Sequence, residues 1–329
     1  MVLIFSNIFD QSTNNVMDWL NYMNIPTIRI NGGDDRYIFD HIDSSGIYFY
    51  DLCKSTIVNI ELAKSCWWRR QGLFTNRLST TQPCVTKKAD VDLTPFMLPH
   101  NKWLNLEAVR LREYIYTRLY KSIPVNLGKP LFDFNRLEVL MMAQKCGLKI
   151  PRFAIVRNSN EIKRYCKTWG TCVSKAISNG LYDEHGGRRY YTYTELITSD
   201  DLEDGINLFP SLICENIIKS FEIRSFYLNG SFYSMAIFSQ TDELTKIDYR
   251  KYANNRNEPF LLPEDVKRKT KRLFKNIDIN TGSIDYMVDQ KGDYYFLEIN
   301  PVGQYGMTDF PCNYELDCKI ANYLAYGVN

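Results

Sequence analysis

The segment that most constrains this chain is GSIDYMVDQKGDYYFLEINP, residues 282–301. Two runs rich in β-branched and aromatic residues flank a polar turn containing Gly292, the pattern of a β-hairpin. With residues 290–293 as the loop, Asp289 faces Tyr294 and Asp285 stands directly opposite Glu298. Asn300, two residues beyond Glu298, shares its face of the strand. Two carboxylates facing each other across a hairpin are destabilising by themselves. A divalent cation reverses the sign of that interaction. All three side chains offer oxygen, which suits Mg²⁺ bridging the phosphates of a nucleotide. The competing description is a solvent-facing hairpin that happens to carry two acids.

Three further segments bear on the choice. In SLICENIIKSFEIR, residues 211–224, Glu215 closes an apolar run, as at a strand entering a hinge. Glu222 and Arg224 are spaced i, i+2 and share a strand face, which on its own reads as a surface ion pair beside an edge strand. Lys175 is the single charge in the strand-like CVSKAI, residues 172–177, and a polar loop with three glycines, 178–191, follows it. A lysine beside flexible backbone amides is one way to hold phosphates. The basic, Asn-rich segment 248–256, with Arg250 in its DYR, either neutralises a phosphoryl group or is a solvated loop.

Composition removes several classes. Charges nearly balance, with 40 Lys+Arg against 38 Asp+Glu, so nothing suggests a protein held on nucleic acid by bulk charge. No apolar run of about 20 residues exists to span a membrane. The first residues read as a strand and not as a secretory signal. Nine cysteines without a C-x-x-C pair read as reduced thiols of a cytoplasmic protein, and three dispersed histidines suggest no histidine metal site. Trp67-Trp68 reads as core or interface packing.

The order of elements is that of an α/β (α+β) protein. Short apolar runs at 2–6, 25–30 and 46–52, with an amphipathic stretch at 16–23, predict a small, mostly parallel α/β unit. A helix is expected over 103–121, capped by Asn101, with Leu104, Ala108, Leu111, Ile115 and Leu119 as its stripe. Residues 122–134 resemble a linker. Helices over 135–146 (stopped by Gly147), 159–168 and 263–276, strands over 153–156 and 171–177, and a hairpin at Asn229-Gly230 follow. Boundaries near 125 and 210 predict three parts: 1–125, 126–210 and 211–329.

Taken in this order, residues 126–306 resemble the ATP-grasp ligase superfamily, and the first 125 residues fit its usual Rossmann-like preceding domain. The resemblance implies ATP and two Mg²⁺ ions as cofactors, held between the central and C-terminal parts. It implies that Lys175 contacts the nucleotide phosphates. Glu215 would sit near the adenine, whose edge would meet the backbone of Asn216 and Ile217, and Glu222 would hold the ribose hydroxyls. Asp285, Glu298 and Asn300 match the family's metal-binding residues, and Arg250 and Arg224 match arginines acting on the phosphoryl group or the incoming carboxylate. One departure stands out: the family opens its first helix here with Asn-Lys-Leu, and this chain has Asn135-Arg136-Leu137. Arginine can still clamp a phosphate in bidentate fashion.

A narrower resemblance rests on Trp67-Trp68-Arg69-Arg70, Glu222-Ile223-Arg224-Ser225 and Asn300-Pro301-Val302-Gly303-Gln304-Tyr305-Gly306, followed by Pro311-Cys312-Asn313-Tyr314. These look like the graspetide synthetases, ATP-grasp maturases of the grasp-with-spasm group. The implied partner is a ribosomal precursor peptide, leader and core, and a homodimer is implied by analogy. The implied reaction joins an Asp or Glu side chain to a Ser/Thr hydroxyl or Lys amine, giving a macrocyclic ester or amide. Two other readings remain: a ligase adding an amino acid to a protein or small molecule, and a non-catalytic peptide-binding protein with a degenerate nucleotide site.

Overall fold

The computed structural model describes residues 1–70, 72–73, 97–130, 135–178, 180, 182–185, 188–191, 194–241 and 255–327. Arg250 lies outside the described residues. The chain forms two compact units, Met1–Phe132 with Glu315–Asn329, and Asp133–Tyr314.

The first unit is built on β1 (Val2–Asn7), α1 (Gln11–Tyr22) and β2 (Thr27–Gly32), followed by β3 (Tyr37–Ile42), β4 (Ile47–Asp51), β5 (Thr56–Asn59), β6 (Ser65–Trp68), α2 (Met97–Ser122) and β7 (Val125–Leu127); the C-terminal α7 (Leu316–Tyr326) returns to it. The parallel sheet runs β2-β1-β6-β7. The run at 46–52 is not part of it: β4 is the centre of a separate antiparallel sheet, β3-β4-β5. Its place beside β1 is taken by Cys66–Trp68, buried on both faces as a parallel strand demands. Trp68 stacks on Phe5 at 4.8 Å, so the two tryptophans are core. Arg69 and Arg70 leave the end of β6 and meet Asp10 at 3.1 and 2.9 Å. Asp10 also caps α1 by accepting from the Thr13 amide.

Two expectations about this region change. Helix α2 starts at Met97, so Asn101 lies inside it and is no cap; Pro99 falls in its first turn, where a missing N–H costs nothing. The supposed linker contains β7, which pairs with β6 because Val125 and Leu127 complete the apolar sheet. No described helix is long and apolar enough to cross a membrane.

The second unit carries α3 (Arg136–Lys145), β8 (Phe153–Asn158), α4 (Ser159–Trp169), β9 (Cys172–Lys175), β10 (Tyr182–His185), β11 (Arg188–Tyr191), β12 (Glu195–Ile197) and β13 (Asn207–Glu215). Then come β14 (Lys219–Leu228), β15 (Ser231–Phe238), β16 (Arg256–Phe260), α5 (Glu264–Asn276), β17 (Thr281–Asp289), β18 (Tyr294–Asn300) and α6 (Gly306–Cys312). Local chemistry sets the ends: Asn135 caps α3 through the amides of Leu137 and Glu138, and Gly147 beyond it has φ 85°. The segment expected as a loop after Lys175 contains a two-stranded hairpin, β10-β11, with Tyr182 opposite Tyr191. Tyrosines at the paired ends of the two strands favour β structure there despite the glycines.

Two sheets organise this unit, β12-β9-β13-β8 and β16-β15-β14-β17-β18. In the second, α5 covers one face: Phe274 lies 4.1 Å from Tyr227 between ring centroids, and Thr270 bonds the Tyr286 hydroxyl at 2.7 Å. The other face holds Tyr305 against Phe226 and Cys312 against Met235 and Ile237. Arg224, Asp285, Glu298 and Asn300 belong to this second face by register.

Candidate active site

The final hairpin pairs Asp285 with Glu298 and Ser283 with Asn300. It reaches that pairing by an unexpected route. The Asp289 amide bonds the Asp293 carbonyl at 3.1 Å, and Val288 pairs with Tyr294, so the loop is one residue shorter than expected. A bulge between Asp285 and Tyr286 then leaves Leu297 unpaired and restores the register. Bulges of this kind re-aim side chains beside functional sites. Here neighbouring residues Leu297 and Glu298 both line the same cleft, which a regular strand forbids.

That cleft, of about 330 Å³ including its open side, is lined by Arg136, Leu140, Pro151, Lys175, Leu212, Cys214, Leu297 and Glu298. Apolar and charged side chains alternate along its lining: Leu212 pairs with Lys175, and Leu297 precedes Glu298. The charges come from Lys175 on β9, Arg136 in the first turn of α3 and Glu298 on β18. Arg136 donates to Glu298 Oε2 at 2.8 Å and to the Ala176 carbonyl at 2.5 Å. Burial pushes the Cys214 thiol up, while Lys175 and Arg136 pull it back. Sequence reasoning missed Cys214; its signal was the i, i+2 alternation with Leu212 on a strand next to Lys175.

Arg224 and Asp285 face one another on β14 and β17, with Arg224 Nη1 3.0 Å from Asp285 Oδ2. The sequence pattern suggested a surface pair between Glu222 and Arg224 on an edge strand. The structure corrects this: β14 is central, both residues are about 95% buried, and each has another partner. The partner of Glu222 is Lys219, itself buried, three residues earlier. Among the described residues, Glu222, Asp285 and Glu298 on this face each form an ion pair, with Lys219, Arg224 and Arg136 respectively.

The hinge residues lie elsewhere. Glu215 is adjacent to Cys214 and points to the opposite side of β13, where Arg152 binds it through its amide at 2.8 Å and its Nε at 2.6 Å. The Glu215 amide is spent on the Arg152 carbonyl and the Asn216 amide on the Thr171 carbonyl. Ile217 follows, half-buried, before β14 begins. Past Asn300 the chain turns through Gly303, whose amide returns to the Asn300 carbonyl at 3.0 Å. Its φ is +62°, and a Cβ there would stand 2.9 Å from the Phe226 ring, so only glycine fits.

Among the described residues no group of three His, Cys, Asp or Glu side chains stands ready to hold a metal. The donor chemistry nonetheless fits a hard cation: Asp285, Glu298 and the Asn300 amide supply oxygen, and nucleotide oxygens would complete the shell. The buried Ser283 hydroxyl, opposite Asn300, has no hydrogen-bond partner among the described residues.

No family model and no curated protein matches the sequence. Solved structures do match. A RiPP-associated ATP-grasp ligase from Chryseobacterium gregarium, in complex with ADP and a leader and core peptide, superposes at TM-score 0.76 over 100% of this chain and 97% of that one, with 21% identity. This chain has the ATP-grasp fold. The macrocyclase MdnC from Microcystis aeruginosa MRC, bound with the precursor peptide MdnA, matches at TM-score 0.74 and 22% identity over 100% of both chains. The ATP-grasp ligase PsnB, complexed with a phosphomimetic variant of a minimal precursor, Mg and ADP, matches at 0.69 and 14% identity over 98% of this chain and 97% of that one. The ATP-grasp likeness extends along the whole chain, first unit included.

Proposed function

We propose that this chain is an ATP-dependent peptide maturase that activates Asp or Glu side-chain carboxylates of a ribosomal precursor and joins them to Ser/Thr hydroxyls or Lys amines. The observation carrying this reading is the convergence of Lys175, Arg136 and Glu298 on one cleft, with Glu298 paired to Asp285 and followed by Asn300 on the same face. Support comes from whole-length likeness to ligases and macrocyclases described with ADP, Mg and precursor peptides. We take the second unit as two working parts divided near residue 210, with β7 and the C-terminal α7 counted in the first unit, and the place of action as the cytoplasm, consistent with eight described cysteines that are all free.

A carboxylate is a poor electrophile because its leaving group would be oxide. Attack of the peptide carboxylate on the γ-phosphorus of ATP forms an acyl phosphate and releases ADP; the hydroxyl or amine then attacks the acyl carbon, expelling phosphate and giving up its proton. Lys175 and Arg136 bind and orient the phosphates in the cleft. Glu222 is assigned to the ribose, with Glu215, Asn216 and Ile217 at the hinge. Arg224 remains with Asp285, and Arg250 is assigned to the transferring phosphoryl group. When bound, Mg²⁺ at Asp285, Glu298 and Asn300 neutralises charge on the phosphates. The hairpin after Lys175 is assigned to water exclusion, which protects an acyl phosphate from hydrolysis.

Intact mass after incubation with Mg-ATP and a Thr-, Asp- and Glu-rich precursor tests this. Loss of about 18 Da per ring, the mass of one water, is expected, dependent on ATP. A gain matching an added amino acid would replace this reading with an amino-acid ligase. Absence of both ATP turnover and nucleotide binding would overturn the ligase assignment.

A further inference from the structure

The three ion pairs on the site face differ in how firmly their cations are held. The side chains of Lys219 and Arg224 are 2% and 6% exposed, so neither can leave its carboxylate without stranding a buried charge. Arg136 is different. Its side chain is 22% exposed, stands on the first turn of α3 and borders the cleft that also contains Lys175. Its second bond reaches the carbonyl of Ala176, the residue after Lys175.

We infer that Arg136 is an internal counter-ion of Glu298 that polyphosphate draws away, so that a divalent cation is held at Glu298 only when nucleotide is present. The inference rests on the nucleotide-site reading above. The guanidinium sits on Glu298 Oε2 at 2.8 Å, and its positive charge repels a cation there. Glu298 takes a single N–H of this guanidinium, and phosphate oxygens entering beside Lys175 offer it a bidentate partner. Once Arg136 turns to them, Glu298 is released with its charge uncompensated, next to Asp285. Metal and nucleotide are then linked, and the linkage is reciprocal. Arg136 acts here through Glu298 and is in that respect a positioning residue. A lysine at this position would supply charge without the fork that bridges Glu298 and Ala176.

The test is Mn²⁺ binding by the full chain, read as loss of the free-ion electron paramagnetic resonance signal, with and without ADP, after subtracting the Mn²⁺ that ADP alone takes up in protein-free controls. The wild type is expected to bind Mn²⁺ weakly alone and at least about tenfold more tightly with ADP. Arg136→Gln should bind Mn²⁺ without nucleotide about tenfold more tightly than the wild type, with a smaller enhancement by ADP. Arg136→Lys should fall between them, and adding Glu298→Gln to Arg136→Gln should erase the gain. A general structural defect would lower affinity and could not raise it. If ADP enhances Mn²⁺ binding in the wild type but neither Arg136 variant changes nucleotide-free binding, the counter-ion role is overturned while the site reading stands. If no variant binds Mn²⁺ even with ADP, the site reading fails and this inference with it.

Discussion

Each unit of the molecule surrounds a carboxylate with arginine, to opposite ends. In the first, Asp10 receives Arg69 and Arg70 and caps a helix, and the Asp10 and Arg69 side chains are each only 2% exposed. In the second, Glu298 receives one arginine, is 35% exposed and lines a cleft. The first carboxylate has its partners built in and nothing further can reach it. The second has a partner that can be exchanged. Accessibility, and not the presence of an ion pair, separates a structural charge from one available to a ligand.

The largest expected effect breaks the second cluster. Glu298→Gln should lower ATP-dependent product formation by about 10²–10³-fold, the scale of losing one preorganised electrostatic contact. Its stability should change by less than about 1 kcal/mol, because a pair this exposed is well screened. A large drop in the urea midpoint with activity per folded molecule intact would reverse the comparison.

The first cluster should answer the opposite way. Asp10→Ala removes the carboxylate from beside the buried Arg69 charge and should cost about 3–5 kcal/mol in urea unfolding, without lowering nucleotide affinity. The cluster also has a pH signature. Burial pushes the Asp10 carboxyl up, but Arg69, Arg70 and the Thr13 amide outweigh it and hold the carboxyl below the usual range. An acid with a depressed folded pKa stabilises the protein above its unfolded pKa, about 3.9, and loses that stabilisation as pH falls through the folded value. The wild type should therefore lose stability below about pH 4 more steeply than Asp10→Ala. Parallel acid limbs would show that Asp10 carries no such linkage.

The two clusters were unequally legible from residues alone. Asp285 opposite Glu298 was readable, yet through two compensating errors: the loop is shorter by one residue and the bulge at Leu297 adds one back. Turn length and bulges depend on backbone geometry that side-chain alternation does not encode. Glu222 and Arg224 were placed correctly on one face, but their partners were not, because Lys219 and Asp285 come from a bulge and from a strand 61 residues away. Trp67 and Trp68 read rightly as core. The Asp10 cluster itself gave no sign, since its members lie 59 and 60 residues apart and only the parallel sheet joins them. Run 46–52 shows the same limit: its β character was plain and its sheet was not.

The smallest expected effect uses a cysteine in each unit. Cys66 has no exposed surface, and burial pushes its thiol well above the ordinary value. Cys214 is 7% exposed and its thiol is also raised by burial, but Lys175 and Arg136 favour the thiolate and the cleft gives a reagent a way in. A small maleimide should therefore label Cys214 slowly in the native protein, faster as pH rises, and Cys66 only after unfolding. ADP should slow Cys214 by a few-fold, because the nucleotide fills the cleft and its phosphates engage the two cations that favour the thiolate. Peptide-level mass spectrometry separates both sites from the exposed Cys53. Equal labelling of Cys214 with and without ADP would mean that the nucleotide does not occupy the cleft where Lys175, Arg136 and Glu298 meet.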